Sequence, residues 1–241
     1  IQYLKERYPR MEGIFFDEEQ HNGSKQFIHQ LSEAIIKNEL HNLKFSAMCN
    51  YWNLDAETLW IMKQAGYYKL RIGIETASEK VAKAIHKPIC IEKLKEVLKA
   101  AKRADLFMYG TFTFGAPGSS PEEDRKTLNL LKELLSEELL SEFQASICVP
   151  QPGTPFYLWA EKNGYLTTKD WQTYNGYTAV VSYPHYSREE IEYAFQQSWN
   201  ISASKRISHL TEIPYLLYRR VRRYGLAHAA RDAFNAIRSQ L

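Results

Sequence analysis

The residues of this chain best suited to chemistry are carboxylates that close apolar runs. Asp17-Glu18-Glu19 follows Gly13-Ile14-Phe15-Phe16, and Glu75-Thr76 follows Lys69-Leu70-Arg71-Ile72-Gly73-Ile74. Ionised carboxylates accept hydrogen bonds and attract positive charge, so the first cluster suits an ammonium group or a metal ion. Side chains on an extended segment alternate in direction, which prevents all of these acids from facing one ligand. An acidic turn in solvent is the competing reading. Glu75 stands directly behind a run that reads as buried and therefore needs a partner. That partner is Arg71, Lys69 or Lys87 within the chain, or the hydroxyl and amine groups of a ligand.

Two further strand-like runs end in Gly115-Ala116-Pro117-Gly118 and in Pro150-Gln151-Pro152-Gly153-Thr154. These turns hold no acid-base side chain. What they offer is backbone: glycine permits positive φ and close approach, proline stiffens the turn, and strand-end amides and carbonyls can line a cavity or read an adenine. Other chemistries are absent from the sequence. There is no His-Glu-x-x-His, no phosphate-cradling Gly-x-x-x-x-Gly-Lys and no Gly-x-Ser-x-Gly. Cys49, Cys90 and Cys148 are too dispersed to form a close-spaced metal or redox motif and read as small buried hydrophobes.

The elements that would position these residues alternate regularly. Strands are expected near residues 14, 44, 69, 108 and 143, spaced as a strand, a helix and two turns require. Helix starts are marked by Ser24, Asp55, Ser78 and the capping box Ser120-Pro121-Glu122-Glu123, with the helix after the last running to about Leu135. Phe27, Leu31, Ala34 and Ile35 give the first of these helices one apolar face. Residues 1 to 8 read as the end of a helix already under way. Repeated parallel crossovers give an open doubly wound sheet or a barrel, and in both the ligand sits at the carboxyl ends of the strands.

At 241 residues with 44% hydrophobic and 24% charged residues, the composition is that of an ordinary soluble globular protein, and the alternation of strands and helices makes its class α/β. No run approaches the roughly 18 apolar residues of a membrane span, and no signal peptide opens the chain, so a cytoplasmic location is expected. Beyond about residue 165 the pattern changes to an aromatic segment with Trp171, Tyr174, Tyr177, Tyr183 and Tyr186, then a helix opened by Ser187-Arg188-Glu189-Glu190. Net charge is +3, and eight Lys or Arg against Glu212 and Asp232 lie beyond residue 200. The stripe containing Arg219, Arg220, Arg222, Arg223 and Arg231 reads as a solvated helix face, with RNA or anionic lipid as its alternative partners.

Taken in order, these motifs resemble the radical S-adenosylmethionine (SAM) superfamily, most closely the members that carry a cobalamin-binding domain. The matching residues are Ile14-Phe15-Phe16-Asp17-Glu18, Met62-Lys63-Gln64-Ala65-Gly66-Tyr67, Gly73-Ile74-Glu75-Thr76, Lys87-Pro88, Phe114-Gly115-Ala116-Pro117-Gly118 and Pro150-Gln151-Pro152-Gly153-Thr154. The resemblance implies a partial six-stranded β/α TIM-like barrel over residues 1–160, of which strands two to six are present, and a mostly helical, aromatic-rich extension over 161–241. It implies SAM, a [4Fe-4S] cluster and cobalamin as cofactors. The cluster's Cys-x-x-x-Cys-x-x-Cys loop follows the family's first strand, so its ligands are expected before Ile1. No metal ligand is assigned within the chain.

By position, the resemblance implies that Asp17 or Glu18 receives the SAM ammonium, Glu75 and Thr76 its ribose or amino group, and Lys87 its carboxylate. The turn from Phe112 through Gly115 to Pro117 would pack on adenine, and Pro150 to Thr154 would close the pocket floor. The fifth-strand turn departs from the family's Pro-Gly-Glu-Thr at Ser119-Ser120, which removes one glutamate. Reductive SAM cleavage to a 5'-deoxyadenosyl radical is the implied reaction, on a small-molecule or lipid-like, apolar substrate, with nucleic acid not expected. Two alternatives stay open: a barrel hydrolase or lyase using Glu18 and Glu75 as acid and base, and a non-enzymatic scaffold whose basic tail is its interaction surface.

Overall fold

The computed structural model describes residues 1–208, with side chains placed through residue 201. The first compact unit is Ile1–Ser198, and the second begins at Trp199. The basic stripe from Arg219 to Arg231 lies outside the described residues.

The five strand-like runs become β1 (Gly13–Phe16), β2 (Lys44–Cys49), β3 (Tyr67–Glu75), β4 (Phe107–Phe114) and β5 (Glu142–Ile147). All neighbouring pairs are parallel and the sheet order is β1-β2-β3-β4-β5. Each strand therefore pairs with its successor, and every crossover steps in the same direction. Right-handed crossovers that never reverse put the intervening helices on one face, which is the winding of a barrel and not of a doubly wound sheet. The sheet does not close, so the fold is the partial β/α barrel that the sequence implied.

The helices begin where the capping residues predict. The chain starts with α1 (Gln2–Arg7), and Ser24, Asp55, Ser78 and Ser120 accept backbone N–H groups at the starts of α2 (Lys25–Lys37), α3 (Ala56–Gln64), α4 (Glu79–Ala84) and α6 (Pro121–Ser136). Between the last two runs α5 (Ile91–Arg103), whose buried Leu94, Val97, Leu98 and Ala101 form one face. The apolar face of α2 is rotated by one residue from the sequence expectation. Ile28, Ser32 and Ile35 are buried, whereas Phe27 is 52% exposed. Beside this face His29 meets the Thr58 hydroxyl of α3 at 3.2 Å.

Strand alternation gives the sheet two unlike faces. Phe45, Ala47, Leu70, Ile72, Ile74, Met108, Phe112, Phe114, Ala145 and Ile147 are all buried, on the side covered by helices. Each of these side chains larger than alanine stabilises the fold by roughly 1.5–3 kcal/mol, so this layer is the core. In register on the opposite face stand Phe15 and Ser46; Met48 and Arg71; Arg71 and Tyr109; Thr111 and Gln144; and Thr113 and Ser146. That face is polar and half-exposed, and it ends at Glu75.

The sequence reading of Pro150 to Thr154 as a turn omits a helix that follows it. Thr154 caps α7 (Pro155–Lys162), with Pro155 in the first turn. Between α7 and α8 (Arg188–Ser208) the extension is irregular apart from a 3-10 turn at Trp171–Thr173 and the isolated bridges Leu166↔Val181 and Tyr183↔Tyr186. Its folding comes from edge-on aromatic packing, Trp159 on Tyr165 at 5.2 Å and Tyr165 on Tyr183 at 5.5 Å between ring centres.

Candidate functional site

Glu75 is the last residue of β3 and has a φ of +63°. Left-handed backbone is costly for a residue with a Cβ. Glu39, His86, Asp105 and Glu138 share it, but each lies just beyond a helix end, where a left-handed residue commonly satisfies the last carbonyls. Glu75 is at a strand end, at a register break between β3 and β4. The kink aims its carboxylate over the polar face. Lys87 donates to Oε1 at 2.7 Å, Thr113 to Oε2 at 2.7 Å and Thr111 to Oε1 at 3.4 Å. The carboxylate is still partly accessible, its side chain being 22% exposed.

Gly73 is required beneath it. A Cβ there would lie 2.4 Å from Lys87 Nζ and 2.5 Å from Glu75 Oε1. Beside the same pair opens a cavity of about 210 Å³ lined by Asn50, Tyr51, Trp52, Gly73, Lys87 and Pro88. Sequence reasoning found Glu75, Lys87 and Gly73 but missed Thr111, Thr113, Asn50 and Trp52. The alternation Tyr109-x-Thr111-x-Thr113 was the available signal for the two threonines.

In the acidic cluster, Glu18 contacts Nδ1 of the buried His21, whose Nε2 is 2.5 Å from the Tyr67 hydroxyl. The His21 ring stacks on Phe16 at 4.4 Å. This chain fixes the turn after β1 and occupies Glu18 with a structural partner. Asp17 is exposed, and strand alternation continued by one residue puts it on the Phe15 side of the sheet.

The other expected ligand residues lie deeper. Thr76 is 2% exposed; its hydroxyl is 3.1 Å from that of Thr127 and accepts the Ser78 N–H at 3.0 Å. Phe112 is 1% exposed and packs edge-on against Phe143 in the helix-facing layer. Gly115 gives its N–H to Asp124 at 2.8 Å, and its carbonyl accepts the Tyr183 hydroxyl at 2.9 Å. Both backbone groups of that turn residue are thus committed inside the protein, and Pro117 is the half-buried part of the turn. The structure therefore brings Glu75 and Lys87 together and sets Thr76, Phe112 and Gly115 in the supporting layer behind them.

The residues present do not fit an iron–sulfur cluster. Cys49, Cys90 and Cys148 are free and lie apart in the fold, and burial pushes the thiols of Cys49 and Cys148 up to about 12, the nearby Glu18 and Glu75 adding to it. A metal-ligating cysteine must be a thiolate. Among the described residues no group of three His, Cys, Asp or Glu is placed to hold a metal ion. The hydrogen-bonding set at Glu75, by contrast, fits a ligand with hydroxyl or ammonium donors.

An uncharacterized methyltransferase from Pyrococcus horikoshii is 27% identical over 164 residues, which is 68% of this chain and 35% of the relative. Cytidylyl-2-hydroxyethylphosphonate methyltransferase from Streptomyces wedmorensis is 24% identical over 176 residues, or 62% of this chain and 32% of that protein. The chain thus spans about a third of the length of these curated relatives. Among solved structures, the radical S-adenosylmethionine methyltransferase TsrM from Kitasatospora setae, with cobalamin and a [4Fe-4S] cluster bound, aligns with a TM-score of 0.48 at 17% identity. That alignment covers 61% of this chain and 28% of TsrM. Residues 4–131, more than half of the chain and including β1 to β4 with Glu75 and its partners, match the family model of the radical SAM superfamily, and the chain belongs to that superfamily.

Proposed function

We propose that this chain is the SAM-binding core of a radical SAM enzyme that acts on a small-molecule substrate, with methyl transfer as its outcome. The observation that carries the reading is Glu75, held in left-handed backbone at a strand end with its carboxylate turned onto the open face of the barrel. A reduced [4Fe-4S] cluster would supply the electron that cleaves one SAM to methionine and a 5'-deoxyadenosyl radical, and a second SAM would supply the transferred methyl group by way of cobalamin. In this chain Glu75 accepts hydrogen bonds from the ribose or ammonium of SAM. Lys87 holds that carboxylate in place and can turn to the SAM carboxylate. Asp17, on the same side of the sheet, is the better placed of the acidic pair for the ammonium, since Glu18 is engaged by His21.

The names of both curated relatives are those of methyltransferases, which supports group transfer as the outcome. The resemblance of the motifs to cobalamin-carrying members adds cobalamin to the cofactors of the longer protein. Phe15, 39% exposed on the open face, offers an apolar wall for a substrate. No helix among the described residues is long and apolar enough to cross a membrane. Three free cysteines suit a reducing compartment, and the cytoplasm is the proposed location.

Full-length protein, reconstituted without oxygen and reduced, is expected to form 5'-deoxyadenosine from SAM. No product from protein with a spectroscopically intact cluster would overturn the proposal. Gly73→Ala gives a finer test. The atoms a new Cβ would strike are the far ends of Lys87 and Glu75, which can swing away, so the unfolding midpoint should move by no more than about 3 °C. The displaced carboxylate should weaken SAM binding roughly tenfold, about 1.4 kcal/mol, measurable by equilibrium dialysis.

A further inference from the structure

Two lysines of the open face are paired with carboxylates, whereas the arginine between them is not. Lys69 donates to Glu142 at 2.6 Å and Lys87 to Glu75 at 2.7 Å. Arg71 stands between these pairs on β3. Its guanidinium carbon is 4.6 Å from the ring centre of Phe15 and 5.1 Å from that of Tyr109. Its Nε is buried and has no hydrogen-bond partner. Among the described residues no carboxylate forms an ion pair with it.

This arrangement is incomplete in a specific way. A buried N–H without an acceptor costs on the order of 1–3 kcal/mol, and buried polar groups are nearly always paired. The two rings orient the planar fork, yet a ring face supplies no acceptor in the plane of the guanidinium. Tyr109 is itself held, donating to Gln144 at 3.0 Å. Glu142 and Glu75 are taken by Lys69 and Lys87, and Asp17, on the same side of the sheet, forms no ion pair with Arg71, so the guanidinium charge has no counter-ion among the described residues. The missing partner is an acceptor that carries negative charge.

We propose that Arg71 is the receptor for an oxyanion on the substrate, a carboxylate or a phosphate-type group, whose carbon skeleton covers the exposed ring of Phe15. Arg71 lies two residues before Gly73 on the same face, one side-chain layer of roughly 6.6 Å from the level of Gly73. An anionic group anchored there leaves the remainder of the substrate directed toward Glu75. That the occupant is a substrate rests on the radical SAM reading; that the site binds an oxyanion does not.

The test separates the two. Full-length reconstituted protein, labelled with ¹⁵N-arginine, is titrated with inorganic phosphate and, separately, with acetate, chloride keeping ionic strength constant. The Arg71 Nε–H signal is assigned by its loss in Arg71→Lys or, should that variant fold poorly, in Arg71→Gln. A saturable shift of that signal alone supports the proposal, and the anion that produces it distinguishes a phosphate-type group from a carboxylate. The same shift in Glu75→Gln protein shows that the anion site stands apart from SAM binding. No saturable shift with either anion overturns the proposal. A phosphate shift abolished by saturating SAM assigns Arg71 to the SAM carboxylate and overturns the substrate assignment.

Discussion

Asp124→Ala is expected to lower folding stability by about 3–5 kcal/mol, whereas Asp124→Asn should raise it above pH 6. Asp124 is 1% exposed, yet it accepts three hydrogen bonds: from the Gly115 N–H at 2.8 Å, the Ser119 hydroxyl at 2.9 Å and the Tyr186 hydroxyl at 2.9 Å. Alanine strands all three donors in the buried interior. Asparagine keeps an acceptor for Gly115 and Tyr186 and can donate its amide N–H to the Ser119 oxygen, so the geometry survives while the charge is lost. Burial pushes the carboxyl up to about 6 against its three hydrogen bonds, which pull it down. Because this lies above the ordinary value of 3.8, the unfolded chain releases the proton more readily than the folded one. The stabilising contribution is fully present below about pH 3.8 and is lost as pH rises through about 6. The stability difference between wild type and Asp124→Asn should therefore change by about 3 kcal/mol across that window. Chemical denaturation from pH 4 to pH 8 measures it; stability curves that run parallel for the two proteins would sink the assignment.

The same network shows what a sequence discloses and what it withholds. Local rules worked where the cause is local: Ser120-Pro121 starts α6, Asp55 starts α3, and the five apolar runs become five parallel strands. The strand-end carboxylate Glu75 was legible because a charge behind a buried run needs an explanation wherever it falls. By contrast, Tyr186 and Asp124 lie 62 residues apart, and neither residue has a local pattern that announces the other. The docking of the extension onto the Gly115 turn was therefore invisible, as was the commitment of that turn's amide and carbonyl to internal partners. The α2 stripe failed for a related reason. A periodic pattern containing both Phe27 and Ile28 fits two faces one residue apart, and the folded chain buries the one with Ile28, Ser32 and Ile35. Arg71 was weighed only as a partner for Glu75. Its lack of any acceptor depends on Lys69 and Lys87 having taken the two nearby glutamates, which no reading of β3 alone contains.

Glu75→Gln should separate binding from folding more sharply than any other substitution in the site. Glutamine keeps the length of the side chain, and its carbonyl can accept from Lys87 or Thr113 as the carboxylate does. It is no better suited than glutamate to a φ of +63°, so backbone strain is unchanged. The Lys87–Glu75 pair is partly exposed, at 45% and 22% for the two side chains, and pairs so placed contribute at most about 1 kcal/mol to folding. The unfolding midpoint should accordingly stay within about 3 °C of wild type. SAM loses more, because a hydrogen bond from a ribose hydroxyl or an ammonium to a charged acceptor contributes about 1.5–3 kcal/mol, or some 10- to 100-fold in affinity. Glu75→Gly completes the argument. Glycine relieves the left-handed strain and should stabilise the strand end, while removing the carboxylate altogether. Weaker SAM binding in a protein more stable than wild type would show that the strain at this residue serves the ligand. Intact SAM affinity in both variants, with stability lost, would assign Glu75 to holding β3, β4 and Lys87 together.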